Sequence, residues 1–511
     1  MTAALSIEYR LIAPMLIVFG AAVVGVAVEA FAGRRHRYRL QVVIAAVALP
    51  AALVAVVALA GTRQTAVMGA LAIDGLTLFV QATIVLVGLL TLPLIAQRRP
   101  AHPGLASFAP QAAAVPGSLL EMAATKSGVM QTEVFPLTLF ATGGLMLFPA
   151  ANDLLTMFVA LEVLSLPLYL LSGLARQRRV LSQEAALKYF LLGAFSSALF
   201  LFGAALLYGA TGALRLTDIG TALTAAAGEP TLALTGVGLL SVGMLFKVGA
   251  VPFHTWIPDV YQGAPTSITA FMAAATKVAA FGAMLRVFSV ALPGLRVDWQ
   301  PVIWAVAMLT MLVGSVLVVT QTDIKRVLAY SAVTQAGFIL VGLSVGTRPG
   351  ITATVVYLFV YAISTVGAFA VVGMVRNAAD EEETDIGRWA NLGRRSPVVA
   401  LAFTVFLLSF AGIPLTGGFV GKFGVFKAAG ETGAGLLVVV GVLASAVAVF
   451  VYARILVIMF CTPAPADASP LARLPRMQGA AITVAAVTTM VLGILPAPLM
   501  SLADAAATLL W

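Results

Sequence analysis

Apolar runs, each about the length of a bilayer crossing and each closed by a short polar interval, recur along the whole chain. Fourteen can be drawn, over roughly 11–32, 39–60, 73–96, 132–150, 153–174, 184–210, 231–256, 264–290, 301–320, 324–346, 350–375, 397–426, 433–461 and 478–498. A helix needs about 20 residues to cross the hydrocarbon. Backbone at that depth must satisfy its own hydrogen bonds, so helices are the natural spanning element. The pattern predicts an all-α polytopic membrane protein. Ala30-Phe31-Ala32 resembles a signal-peptidase site. The apolar run before it is too long for a signal h-region, so the first segment is read as a retained helix.

Composition agrees. Of 511 residues, 61% are hydrophobic and 10% charged, against about 25% charged in a soluble domain. The net charge of +9 suggests nucleic acid only until the bases are mapped. Of the 30 Lys and Arg, 18 fall in odd-numbered loops, 6 in the N-terminus and even-numbered loops, and 6 inside spans. Basic loops stay cytoplasmic, so odd loops are expected inside and both termini outside. The longest connections, 97–131 and 376–396, are read as solvated loops, with docking to a partner as the competing reading. Cys461 is the one cysteine, and His36, His102 and His254 lie far apart. That excludes an internal disulfide, a cysteine zinc site and an iron–sulfur cluster held by this chain alone.

Charge inside the spans carries the chemistry. A charged side chain at the bilayer centre costs roughly 2.5–3.5 kcal/mol on insertion scales, so it usually marks a pathway. Glu162 lies about 13 Å along its helix from Asp153 and needs a cation or a proton. Lys247 ends an uncharged stretch that begins at Thr231. Burial lowers a lysine pKa and a nearby carboxylate raises it, so a Glu/Lys pair can hold or release a proton as its separation changes. A fixed ion pair between helices is the competing reading for both. Lys277 lies about 20 Å from Ala264 along its span, near midplane. Lys422 follows Thr416-Gly417-Gly418-Phe419-Val420-Gly421. This is half a P-loop with Thr and Phe at required positions, so nucleotide binding is rejected and an interfacial anchor is the alternative. Lys188, four residues after Glu184, also fits an ordinary surface pair. His254, between Pro252 and Pro258, is a candidate relay because histidine changes charge near neutral pH. Arg286 and Arg454, near span ends, are expected to snorkel.

Two spans are interrupted. The seventh holds Pro252 and Pro258; the twelfth holds Gly412-Ile413-Pro414 and Gly417-Gly418. Proline removes a helical hydrogen bond, and such breaks are tolerated where backbone is buried in protein or faces a cavity. Each broken helix is fourth in a five-helix block and bears a lysine, Lys247 or Lys422. Five crossings invert a block, and inverted repeats with discontinuous helices mark transporters. The expected organisation is 1–131, a three-helix segment and loop; 132–290, a first repeat; 291–462, its inverted partner; and 463–511, a last helix.

The run from Phe246-Lys247 through Pro252-Phe253-His254 to Pro258-Asp259-Val260-Tyr261-Gln262-Gly263-Ala264-Pro265 resembles the antiporter-like membrane subunits of respiratory complex I and their cation/proton antiporter relatives. Thr322-Asp323-Ile324-Lys325-Arg326 and Gly412-Ile413-Pro414 through Lys422 match further. Within that family the match is nearest to the subunit N branch. The twelfth-span charge is lysine where branch M has glutamate, and the lateral helix of branch L is not seen. The resemblance implies a proton path through Glu162, Lys188, Lys247, His254, Lys277 and Lys422. It implies no cofactor in this chain. NADH, FMN, iron–sulfur clusters and quinone are expected in partner subunits. The partners would be antiporter-like subunit M, the small membrane subunits, the peripheral redox arm and lipids, with no nucleic acid. Gln335 stands where many relatives have a histidine, and glutamine cannot titrate. The alternatives are a subunit of a multi-subunit cation/proton antiporter and a scaffold that carries no protons.

Overall fold

A computed structural model describes residues 7–99, 102–105, 107–111, 114–127, 130–225, 231–377, 381–464 and 475–510. Its helices run in chain order as α1 (Tyr9–Phe31), α2 (Arg34–Ala58), α3 (Gly75–Ile95), the short α4 (Leu119–Lys126) and α5 (Val134–Leu147). Then come α6 (Leu154–Ser172), α7 (Arg179–Thr211), the short α8 (Leu216–Ala225), α9 (Thr231–Val248) and α10 (Trp256–Gly263). The second half holds α11 (Thr266–Arg286), α12 (Arg296–Val319), α13 (Ile324–Val345), α14 (Arg348–Val372) and the one-turn α15 (Leu392–Arg395). It closes with α16 (Pro397–Ala411), α17 (Gly417–Glu431), α18 (Gly435–Cys461), α19 (Arg476–Ile494) and α20 (Ala497–Ala506). Among the described residues, 12 helices are long and apolar enough to cross a membrane; Val134–Ala150 and Pro397–Ala411 are shorter apolar helices.

Caps explain several starts. The side chains of Asp74, Asp153 and Asp323 accept from backbone amides at the heads of α3, α6 and α13, which satisfies donors the helix cannot. Burial then sorts the helices. The apolar windows of α11, α13 and α14 are 100%, 94% and 94% buried, against 33% and 28% in α18 and α19. The first group is the protein's centre. The second exposes large apolar side chains such as Leu443, Phe450 and Val484, a surface suited to lipid rather than water.

Connections of like parity meet. On one face, Glu8 accepts from the Val67 amide, Arg215 donates to Met68, Asn152 to Gly69, Arg63 to Leu509 and Arg348 to Asp504. Both ends of the described chain therefore lie there. On the other face, Tyr38 donates to Ala96, Gln478 to Pro93, and the Asn391 amide to Ile458.

The two long connections are more ordered than the sequence suggested. Trp389 and Leu392 in 376–396 are fully buried, and Glu382 lies 3.6 Å from the buried Lys325. In 97–131, Phe108 is buried and Glu121 pairs with Arg179 at 3.2 Å. Charge density on these loops hid a few apolar anchors that hold them to the helix ends.

Candidate functional site

The seventh span stops being helical where Gly249 turns to φ +73°, a left-handed conformation that glycine adopts without penalty. The chain crosses residues 249–255 as a turn and resumes as α10. Trp256 Nε1 donates to the Phe246 carbonyl at 3.0 Å, so the second half is tied back to the first. The twelfth span breaks in the same way at Gly412, φ +77°, between α16 and α17.

Lys247 is 3% exposed, one residue before the end of α9. Its ammonium donates to Ser165 Oγ at 2.6 Å and faces the rings of Tyr169 and Tyr189, whose centroids lie 5.7 and 5.6 Å away. Tyr189 stacks on Trp256 at 4.6 Å, so α10 braces the aromatic wall. Glu162 sits one turn before Ser165 on α6. It makes no ion pair with Lys247, and its Oε1 is buried without a hydrogen-bond partner among the described residues. The fixed salt bridge offered as the competing reading is absent there.

Lys277 is 1% exposed in the middle of the fully buried α11. It donates to the carbonyl of Val248 at 2.6 Å. Val248 is the last residue of α9, where carbonyls lack helical partners and the helix dipole is negative. Lys422, 6% exposed, makes the like contact at the other break. It donates to the carbonyls of Phe410 and Ala411 at 3.1 and 3.0 Å and to Ser445 Oγ at 3.1 Å.

Each broken span bears its lysine, but on opposite sides of the break. Lys247 precedes its break and Lys422 follows its own, so Lys277 and Lys422 are the two that hold half-helix C-termini.

Further polar contacts lie near these two lysines. Tyr361 on α14 donates to the carbonyl of Ala273, one turn before Lys277, at 3.2 Å. Tyr357, one turn from Tyr361, donates to Gln335 Oε1. Gln335 Nε2 donates at 2.9 Å to Phe410, the carbonyl that also accepts from Lys422. Gln335, which cannot titrate, thus shares a carbonyl with Lys422, and no hydrogen bond among the described residues carries the contact on to Lys277.

His254 lies in the turn between α9 and α10, its ring 6.5 Å from that of Tyr330 on α13. Its Nδ1 is buried without a hydrogen-bond partner among the described residues. Lys188 stands apart from the buried row. Its side chain is 42% exposed and pairs with Glu184 and Asp259, both at 2.7 Å. Asp259 also binds Arg326 at 2.9 Å. The surface pair expected of i,i+4 spacing is present, with a second carboxylate added.

Arg286 does not snorkel. It and Asp74 are fully buried, joined at 2.7 and 3.0 Å, and Arg286 also donates to Thr77 Oγ1 and the Pro149 carbonyl. Asp74 accepts in turn from the Leu510 amide at 3.0 Å. Arg454 is exposed, as a snorkelling residue should be. Sequence reasoning missed Ser165, Tyr189, Tyr357 and Asp74. Hydroxyls and aromatics are common in spans, so no single one stands out.

A polytopic helix bundle with two broken helices and lysines buried at the breaks defines an antiporter-like membrane subunit. Residues 151–448, more than half of the chain, match the family described as NADH:quinone oxidoreductase/Mrp antiporter, TM. NADH-quinone oxidoreductase subunit N of Rhodococcus opacus (strain B4) is 60% identical over 519 residues, covering 98% of this chain and 96% of its own. Subunit N of Mycobacterium tuberculosis (strain H37Rv) is 57% identical, covering 99% and 98%. A chain of Thermus thermophilus respiratory complex I with bound aureothin superposes with TM-score 0.78 at 32% identity, covering 96% of this chain and 98% of that one. A chain of the Mrp complex from Dietzia sp. DQ12-45-1b shares the fold, with TM-score 0.80 at 23% identity, covering 98% and 97%. The chain belongs to the NADH:quinone oxidoreductase/Mrp antiporter family and, within it, to the subunit N group of complex I.

Proposed function

We propose that this chain carries protons outward through Glu162, Lys247, His254, Lys277 and Lys422 while partner subunits perform the redox chemistry. One observation carries the reading. Lys247, Lys277 and Lys422 are buried at membrane depth, yet among the described residues each ammonium donates hydrogen bonds only to hydroxyls and carbonyls. A lysine serving structure alone would be expected to have a carboxylate, as Arg286 has Asp74. An amine held by neutral oxygens can lose its proton without stranding a buried anion. Glu162, near Lys247 but not paired with it, is the group whose approach or withdrawal would bias that step. Lys188, with Glu184 and Asp259, forms the half-exposed end of the path on the odd-loop face, and Lys422 serves the exit.

In this reading the odd-loop face is cytoplasmic and both termini face outward, as the basic loops indicate. Segments 132–290 and 291–462 act as two inverted units around their broken helices, between the 1–131 and 463–511 segments. NADH, FMN, iron–sulfur clusters and quinone belong to the peripheral redox arm. The neighbours in the membrane are antiporter-like subunit M and the small membrane subunits.

The test is NADH-driven proton pumping in intact membranes. Lys247→Ala or Glu162→Ala should suppress pumping while the assembled complex persists, and full pumping in both variants would overturn the proposal. Cation exchange driven by a pH gradient alone would instead support a subunit of a cation/proton antiporter.

A further inference from the structure

The face that carries both chain ends is poor in cations. Its connections and the N-terminus hold 6 of the 30 Lys and Arg. Three of these, Arg63, Arg296 and Arg348, line one cavity of about 300 Å³. Arg348 is paired with Asp504 at 2.7 Å. Arg63 and Arg296 each donate to a backbone carbonyl, of Leu509 and Val345, and no carboxylate pairs with either among the described residues. The Arg296 guanidinium lies flat against Gly346, where a Cβ would come 3.2 Å from its Cζ. The lining also includes the apolar side chains of Phe288, Trp299 and Leu509. Phe288 stands on a π-helical turn at Val287–Ala291, and such turns are frequent at functional sites.

We propose that this cavity seats the phosphate headgroup of an anionic phospholipid whose acyl chains leave toward the bilayer. Guanidinium groups match phosphate oxygens in bidentate geometry. Ligand pockets run from about 300 to 1,000 Å³, so this one takes a headgroup and its glycerol but not a whole lipid. The position at span ends and the mix of arginine with aromatic wall suit a molecule that is charged at one end and apolar at the other. Free inorganic phosphate would use the arginines but gain nothing from Phe288 and Trp299.

The test uses the assembled complex in lipid nanodiscs with diazirine-bearing phosphatidylglycerol or phosphatidylcholine, reading the label recovered on residues 287–299. Phosphatidylglycerol should label that segment about twenty-fivefold more, since each of the two basic side chains near a bilayer surface contributes about 1 kcal/mol, or about fivefold. The preference should vanish in the Arg63→Gln/Arg296→Gln double variant and return in Arg63→Lys/Arg296→Lys. NADH oxidation by each variant checks assembly. Equal labelling by the two lipids, or a preference that survives the double Gln variant, would overturn the proposal. Loss of label on adding millimolar inorganic phosphate would assign the site to free phosphate and overturn it as well.

Discussion

The ammonium of Lys277 donates a 2.6 Å hydrogen bond to the carbonyl of Val248, the residue on which the first half of the seventh span ends. A break that leaves carbonyls without helical partners thus becomes a cation site. Lys422 repeats the arrangement at Phe410 and Ala411. Lys247, one residue before Val248, points elsewhere, to Ser165. Two lysines therefore meet one helix end by different partners, and each partner can be altered alone.

Ser165→Ala removes the hydrogen-bond partner of Lys247. Hydrogen bonds to charged groups contribute about 1.5–3 kcal/mol, which would change a proton-transfer step roughly ten- to a hundredfold. NADH-driven proton uptake by inverted membrane vesicles should fall while the amount of complex is unchanged. Ser165→Thr keeps the hydroxyl and should keep most of the uptake. Equal rates in wild type and the Ala variant would remove Ser165 from the path.

Gln335 accepts from Tyr357 and donates to the carbonyl shared with Lys422. Gln335→Leu leaves the buried Tyr357 hydroxyl unpaired, at about 1–3 kcal/mol, and removes the polar side chain that shares the Phe410 carbonyl with Lys422. Pumping should drop severalfold. Gln335→His can both accept and donate and should retain it. Protons moved per NADH oxidised, compared across the three, separate a polar role from a packing role; the Leu variant pumping as wild type would refute it.

Arg286 and Asp74 serve stability. Breaking a buried pair by removing one partner costs about 3–5 kcal/mol. Arg286→Ala and Asp74→Ala should each lower the amount of subunit in the membrane sharply. The double variant Arg286→Met/Asp74→Leu removes both charges and should recover much of it. Immunoblots of washed membranes read the outcome, and a double variant worse than either single one would contradict this assignment.

The sequence made the buried lysines legible because a charge within an apolar run has few explanations. Lys247, Lys277 and Lys422 all stood out on that ground. Proline and glycine likewise marked both breaks. Which carbonyls each ammonium would meet was not legible, because that depends on where Gly249 and Gly412 turn. Partners were hidden by distance along the chain. Asp74 lies 212 residues from Arg286, and the position of Arg286 near a span end gave no hint of a buried carboxylate. Lys188 shows the converse. Its resemblance to a pathway residue and its spacing from Glu184 pointed in different directions, and only geometry brought in Asp259. The docking of 376–396 turned on Trp389 and Leu392, two apolar residues in a charged segment.

The most direct test of the proposed proton path is the number of protons moved per NADH oxidised by purified complex in proteoliposomes carrying Lys277→Met. Methionine keeps much of the lysine's length and apolar contact but can neither hold a proton nor donate to Val248. The complex should assemble, its proton yield should fall below that of wild type, and its NADH oxidation should be slowed or uncoupled. A wild-type proton yield at wild-type turnover would contradict it.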